Sequence, residues 1–82
     1  MDIREIFARN LRTARQAAGL SQEALADRAG IDRTYISSLE RSVYNPTIDI
    51  VDRLAKALGS KAADLLLEDL SQARKHQGDG PQ

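Results

Sequence analysis

The chain has 82 residues, no cysteine and one histidine, and its 12 basic residues balance its 12 acidic ones. This length allows one domain with a modest core, and the lack of cysteine excludes disulfides, zinc fingers and thiol chemistry while leaving the redox compartment open. A net charge of zero argues against strong sequence-independent attraction to DNA, because DNA-binding domains usually carry a basic excess.

The first helix is predicted to run from Ile3 to about Ala18, with Asp2 as its N-cap. Its apolar residues fall at helical spacing on one stripe, which should face the core. The stripe consists of Ile3, Phe7, Leu11, Ala14 and Ala18. Gly19 can take the left-handed conformation that ends a helix, so we expect the chain to turn there.

Two short helices around a glycine turn are predicted next. Ser21 is a good N-cap for helix two over residues 22–29, and Gly30 can end that helix. Asp32 then caps helix three over about 33–41. A sharp turn between two short helices is the arrangement that places the second helix in the major groove of DNA.

Helix three has an apolar edge and a hydrogen-bonding face. On a helical wheel Ile36, Leu39 and, if the helix reaches it, Val43 point toward a core. The opposite side and its flanks carry Arg33, Thr34, Tyr35, Ser37, Ser38 and Arg41. A merely solvated face would favour Glu, Lys and Gln, because Thr, Ser and Tyr are poorer helix formers. Contacts to base edges explain this composition better than solvation does.

Two further helices are predicted in the last third of the chain. Thr47 should cap helix four, which ends at Gly59. Its core-facing residues are Val51, Leu54, Ala55 and Leu58. Helix five should begin at Lys61 or Ala62 and extend into the low seventies. The pattern therefore predicts an all-α fold of five helices in a compact domain over residues 1–72.

The leucines of helix five cover an unusually wide arc. Leu65, Leu66 and Leu67 sweep about 200° of a helix, and Leu70 follows. Either this helix is buried on two sides within the monomer, or one side meets a second subunit. Residues 73–82 are polar and glycine-rich, and we expect them to form a disordered tail.

The stretch from Gly19 to Arg41 resembles the core motif of the Cro/xenobiotic-response-element family of phage-repressor-like DNA-binding domains. The segments Leu20–Ala26 and Ile36–Arg41 carry the resemblance most strongly, and it extends over about residues 4–68. The hexapeptide Asp-Arg-Thr-Tyr-Ile-Ser at 32–37 is similar to the controller proteins of restriction–modification systems. The resemblance implies a compact repressor-like fold and a prokaryotic transcription regulator, either a repressor or an activator.

The resemblance also implies roles for individual residues. The positions that read bases are Arg33, Thr34, Tyr35 and Ser38. The positions that contact DNA phosphates are Arg12, Gln22, Ser37, Arg41 and Asn45. Gln22 begins helix two, and a helix N-terminus attracts anions in any case. Arg15 and Glu40 match a structural ion pair, because both flank apolar edges where a partly buried carboxylate needs a partner.

Double-stranded DNA and a second copy of the chain are the partners that the resemblance implies. A two-fold dimer would present two recognition helices to half-sites roughly 34 Å apart on a palindromic operator, and its interface would use Leu66, Leu67 and Leu70. Glu23 and Asp27 match acidic positions that contact RNA polymerase in activating repressors. The simpler interpretation of that acidic pair is a solvated face beside Arg28.

Other functions find little support in the sequence. His76 stands alone in the tail, and neither a glycine-rich phosphate loop nor a metal-spaced carboxylate cluster occurs, so we expect no enzyme, cofactor or metal. With no signal peptide and no apolar run of about 18 residues, we expect a cytoplasmic protein without membrane contact. We also expect no second domain that could bind a small molecule. The alternative is an antitoxin-like or adaptor protein that binds another protein.

Overall fold

The computed structural model describes residues 2–68, and these form four α-helices followed by one 3₁₀ helix. The elements are α1 (Ile3–Ala17), α2 (Gln22–Ala29), α3 (Arg33–Glu40), α4 (Ile48–Ala57) and the 3₁₀ helix (Ala62–Leu66). No strand occurs within residues 2–68, so the predicted all-α class is confirmed. Within the same residues no helix combines the length and apolarity needed to cross a bilayer.

Each α-helix begins at the predicted N-cap side chain. Every cap oxygen accepts a hydrogen bond from a backbone N–H of the first turn, which the helix itself leaves without a partner. The caps are Asp2, Ser21, Asp32 and Thr47. At the first of them, the bond from the Arg4 backbone N–H lowers the pKa of the Asp2 carboxyl, because it favours the charged form.

All four helices end in the same hydrogen-bonded turn. After α2, Gly30 adopts a left-handed conformation (φ 69°), and the N–H of Ile31 donates to the Ala26 carbonyl at 3.0 Å. The equivalent left-handed residues after the other helices are Gly19, Ser42 and Gly59. Val43 is expected to face the core only if helix three reaches it, and α3 already ends at Glu40. The Val43 side chain lies beyond the turn and is 53% exposed.

One hydrophobic cluster holds the helices together. α1 packs on α3 and on the 3₁₀ helix, whereas α4 packs on α2 and the 3₁₀ helix. The fully buried large side chains of the cluster are Leu11, Leu25, Ile36, Leu39, Leu54 and Leu65. On α1 burial is confined to the turn from Ile6 to Leu11. The predicted apolar stripe is therefore too long at both ends, because Ile3 and Ala18 are exposed.

The fifth element is shorter than predicted. The 3₁₀ helix ends at Leu66, and Leu67 is already extended (ψ 135°). The side-chain amide of Asn10 donates to the carbonyls of Leu65 at 3.0 Å and Leu67 at 2.6 Å, so these carbonyls find their partner in α1 instead of in a further helical turn. Leu70, His76 and the predicted tail over 73–82 lie outside the described residues.

The buried amide of Asn10 is expected to hold the end of the 3₁₀ helix and Leu67 against α1, and this can be tested. The Asn10→Ala variant should lose about 1–3 kcal/mol of unfolding free energy, because it leaves two carbonyls without their donor in a buried region. Urea unfolding followed by circular dichroism measures this change. The matched control is Asn45→Ala at an exposed position, expected to change stability by less than about 0.5 kcal/mol. Equal effects of the two substitutions would contradict the fastening role.

Candidate DNA-binding surface

The turn between α2 and α3 fixes the direction in which α3 projects. Leu25, Ala26 and Ala29 of α2 are buried, and the short side chain of Ala26 is 5% exposed. Ile31, which follows the left-handed Gly30, packs against the core. Because both sides of the turn are tied to the core, α3 is held as a rigid unit at the surface.

The N-terminal half of α3 presents polar side chains to solvent. Arg33 and Thr34 are exposed, whereas Tyr35 and Ser37 are half-buried. These residue types suit base edges, since arginine pairs with guanine and a threonine methyl can contact the thymine methyl. The structure therefore brings three of the four predicted base-reading residues, Arg33, Thr34 and Tyr35, together in the first turn.

Ser38 does not lie where the helical wheel predicted. Ser38 is only 6% exposed, so the expectation that it faces outward is wrong. The guanidinium of Arg41 covers it, because Arg41 Nη2 donates to Ser38 Oγ at 3.4 Å. A base could reach this hydroxyl only if Arg41 moved. Arg41 itself is exposed, at the C-terminal end of α3.

The structure brings Arg15 and Glu40 together as a bidentate ion pair. Arg15 Nε lies 2.6 Å from Glu40 Oε2, and Arg15 Nη2 donates to Oε1 at 3.0 Å. The side chain of Glu40 is 1% exposed. Its hydrogen bond raises the pKa of Arg15 above the usual value of an arginine. The stability that comes from this raised pKa is present below the usual arginine pKa and is lost only as the pH rises above it, so Arg15 keeps its positive charge near neutrality.

Two of the predicted phosphate contacts also bind Glu40. Gln22 Nε2 donates to Oε1 at 3.1 Å, and Arg12 Nη2 donates to the Glu40 backbone carbonyl at 3.3 Å. Arg12 Nε lies 3.6 Å from the same carboxylate. The arginine side chain is 53% exposed while the carboxylate is buried. The guanidinium groups of Arg12 and Arg15 carry two positive charges against the one negative charge of the Glu40 carboxylate. A net positive charge therefore remains at the surface, where a phosphate could bind.

The other predicted site residues that fall within residues 2–68 are exposed or half-buried. Asn45 is exposed in the loop before α4, and Glu23 and Asp27 are exposed one turn apart on α2. Leu66 is 39% exposed and Leu67 is half-buried. Among residues 2–68 no group of His, Cys, Asp or Glu side chains could hold a metal ion.

An apolar groove of about 150 Å³ lies between the N-termini of α1 and α4 and the 3₁₀ helix. Its walls include Ile3, Phe7, Ile48 and Leu66. Ile48 is 83% exposed and Ile3 is 54% exposed. Leu66, predicted as a dimer contact, therefore belongs to a patch of apolar side chains that come from three elements.

Tyr44 is a residue of this surface that the sequence pattern did not single out. Its ring lies 5.7 Å from that of Tyr35, at an interplanar angle of 35°. The contact joins the loop after α3 to the first turn of the same helix. The local sequence does not predict the contact between the two rings, because the two residues meet only through the turn after Glu40.

Both the sequence and the fold of this chain are similar to those of known proteins. The helix-turn-helix family profile matches residues 11–65. Control protein C.SmaI of Serratia marcescens is 48% identical over 66 residues, covering 80% of this chain and 79% of that protein. The crystal structure of the hypothetical transcription factor NHTF from Neisseria is similar with a TM-score of 0.84 at 39% identity, over 90% of this chain and 85% of the other. The restriction–modification controller protein C.AhdI from Aeromonas hydrophila aligns with a TM-score of 0.73 at 39% identity, over 76% of this chain and 94% of its own.

The buried carboxylate provides a stability test of this surface. Glu40→Ala should lower the unfolding free energy by about 3–5 kcal/mol, because it leaves the largely buried Arg15 cation without its partner. The double variant Arg15→Met with Glu40→Leu should recover much of that loss, since it removes both charges. Glu23→Ala, an exposed glutamate on α2, is the control. A Glu40→Ala effect as small as that of the control in urea unfolding would contradict the assigned network.

Proposed function

The chain belongs to the helix-turn-helix family of DNA-binding transcription regulators, and on that premise we propose that it binds a palindromic operator as a homodimer. Members of this family are regulators and not enzymes. In the proposal, α3 enters the major groove and its first turn reads bases. The observation that carries it is the exposed polar face of α3 on a helix anchored at its other end by Glu40.

Base reading is assigned to the first turn of α3. Arg33 would donate to guanine, and Thr34 and Tyr35 would contact the neighbouring base pairs. Ser38 would join them once Arg41 turns toward the DNA backbone. The exposed side chains of Arg33 and Thr34 need no rearrangement of the core to reach a groove, which favours this assignment over a merely solvated face.

Phosphate contacts are assigned around that turn. The exposed cation of Arg12 and the N-terminus of α2, which begins with Gln22, offer donors on one side of α3. Ser37 and Arg41 would contribute from α3 itself and its C-terminal end, and Asn45 from the loop before α4. These contacts would set the position of the protein on the duplex, whereas the first turn of α3 would set its sequence preference.

The dimer is assigned to the apolar groove. A second copy that covers Ile3, Ile48 and Leu66 would remove from water side chains that the monomer leaves exposed. Leu67, which follows Leu66 in the sequence, and Leu70 are proposed as further interface residues. Two-fold symmetry would place the two α3 helices about one DNA turn, roughly 34 Å, apart.

Zero net charge shapes the expected binding behaviour. Attraction to random DNA should be weak, so affinity must come from base contacts and from dimerisation. Glu23 and Asp27, exposed on α2, are proposed as a contact for RNA polymerase bound beside the operator. Access to the chromosome places the protein in the cytoplasm in this proposal.

The role of Arg33 can be measured on an operator selected from random DNA with the purified protein. Arg33→Ala should weaken operator binding by about 1–3 kcal/mol and relax the preference at one base pair of each half-site, because a bidentate arginine–guanine contact is lost. Fluorescence anisotropy on the operator and on single-base variants gives both quantities. Arg53→Ala, an exposed arginine on α4, serves as the control. If Arg33→Ala weakened all sequences equally, the residue would be a phosphate contact instead.

The oligomeric state tests the proposed interface. By light scattering the wild-type chain should have the mass of a dimer and not that of the 9.0 kDa monomer. Ile48→Glu should give monomers without unfolding, because a carboxylate in the first turn of α4 is favourable to the helix but not to an apolar interface. Gln16→Glu, which adds a charge at the far end of α1, should stay dimeric. A wild-type monomer, alone and on operator DNA, would rule out this interface.

A further inference from the structure

The contact between Tyr35 and Tyr44 links the loop after α3 to the helix turn proposed to read bases. Tyr35 packs against the hydrophobic core with part of its ring, and the ring of Tyr44 covers it from another direction at 5.7 Å. Tyr44 is itself 51% exposed, so it is far less buried than a core residue. Its ring has one side on Tyr35 and much of the remainder in solvent.

An unusual turn places Tyr44 there. Ser42 is the one residue other than glycine with a positive φ among residues 2–68, at 62°. That conformation is unfavourable for a residue with a Cβ atom, which comes close to the following carbonyl oxygen, so the surrounding hydrogen bonds must offset its cost. The N–H groups of Ser42 and Val43 donate to the carbonyls of Leu39 at 3.1 Å and Ser38 at 3.0 Å. The Ser42 hydroxyl also lies within 3.5 Å of the Arg4 carbonyl, so it can donate to α1.

These bonds reverse the chain directly after α3 and bring residue 44 back beside residue 35. The two ring centroids are then 5.7 Å apart, within the roughly 4.5–7 Å separation of interacting aromatic pairs, and the ring planes are tilted by 35°. A tyrosine ring turns about two side-chain bonds, and the core and the second ring restrict those turns from two directions. Without Tyr44 the Tyr35 ring would keep only its core contact.

We propose that Tyr44 is a positioning residue that fixes the orientation of the Tyr35 ring and thereby sharpens base selection by α3. The proposal rests on the proposed function, because it assigns a task to the residue beside Arg33 and Thr34. Tyr44 acts through Tyr35 and does not itself contact a base. Its ring is needed for this task, and its hydroxyl is not.

A binding cycle on the selected operator tests this assignment. Tyr44→Ala should weaken operator binding about two- to tenfold, because preorganisation of the Tyr35 ring can contribute no more than the stability of one aromatic pair, and it should relax the same base pair that Tyr35→Ala relaxes. Tyr44→Phe should bind within about twofold of the wild type. In the Tyr35→Ala background, Tyr44→Ala should have no further effect. An equal loss in both backgrounds, or a loss for Tyr44→Phe as large as for Tyr44→Ala, would overturn the proposal by indicating a direct DNA contact.

A second measurement needs no DNA. The chain has two tyrosines and no tryptophan, so a tyrosine-labelled sample gives two sets of ring signals, and a Tyr44 variant leaves those of Tyr35. Side-chain couplings of Tyr35 should report one rotamer in the wild type and in Tyr44→Phe, and averaged rotamers in Tyr44→Ala. Unchanged couplings in Tyr44→Ala would overturn the positioning role. A wild-type protein that binds operator and random DNA alike would instead overturn the proposed function, and the base-selection part of this proposal with it.

Discussion

A buried carboxylate, that of Glu40, joins the three helices from which the candidate DNA-binding surface is built. It lies at the last residue of α3, accepts hydrogen bonds from Arg15 of α1 and Gln22 of α2, and its backbone carbonyl accepts one from Arg12. A carboxylate is unfavourable at a helix C-terminus and costly to remove from water. The arginine pair and the glutamine amide offset both costs. Because the network fixes one end of α3, the polar face at its other end has a defined direction.

The same network reconciles a neutral chain with a DNA-binding function. Net charge over the whole sequence is zero, but its placement is uneven. At Glu40 the negative charge is buried and the cation of Arg12 is half-exposed, so the local surface is positive. Phosphate binding depends on such local charge more than on the sum. In the proposed function, this placement of charge would attract a duplex where α3 projects without giving a general affinity for polyanions.

Local signals in the sequence predict the helix boundaries well, because caps and left-handed turns involve residues within one turn of each other. Ser21, Asp32 and Gly30 therefore determine α2 and α3 within a residue or two of the structure. Contacts between distant parts of the chain are harder to predict. Asn10 stops the 3₁₀ helix from 55 residues away, and Tyr44 returns to Tyr35 only through a left-handed serine. Ser38 shows a different limit, because a helical wheel places it outward without taking account of the Arg41 side chain, which comes from the next turn and donates to its hydroxyl.

In the proposed function, the Glu40 network holds α3 in the orientation in which its first turn reads DNA. A crystal structure of the protein on its selected operator tests this most directly. Arg33 and Thr34 should reach base edges in the major groove, while Arg15 and Glu40 keep their bidentate pair and Arg12 and Gln22 lie beside phosphates. A complex in which α3 faces away from the DNA, or in which the Arg15–Glu40 pair is broken, would contradict it.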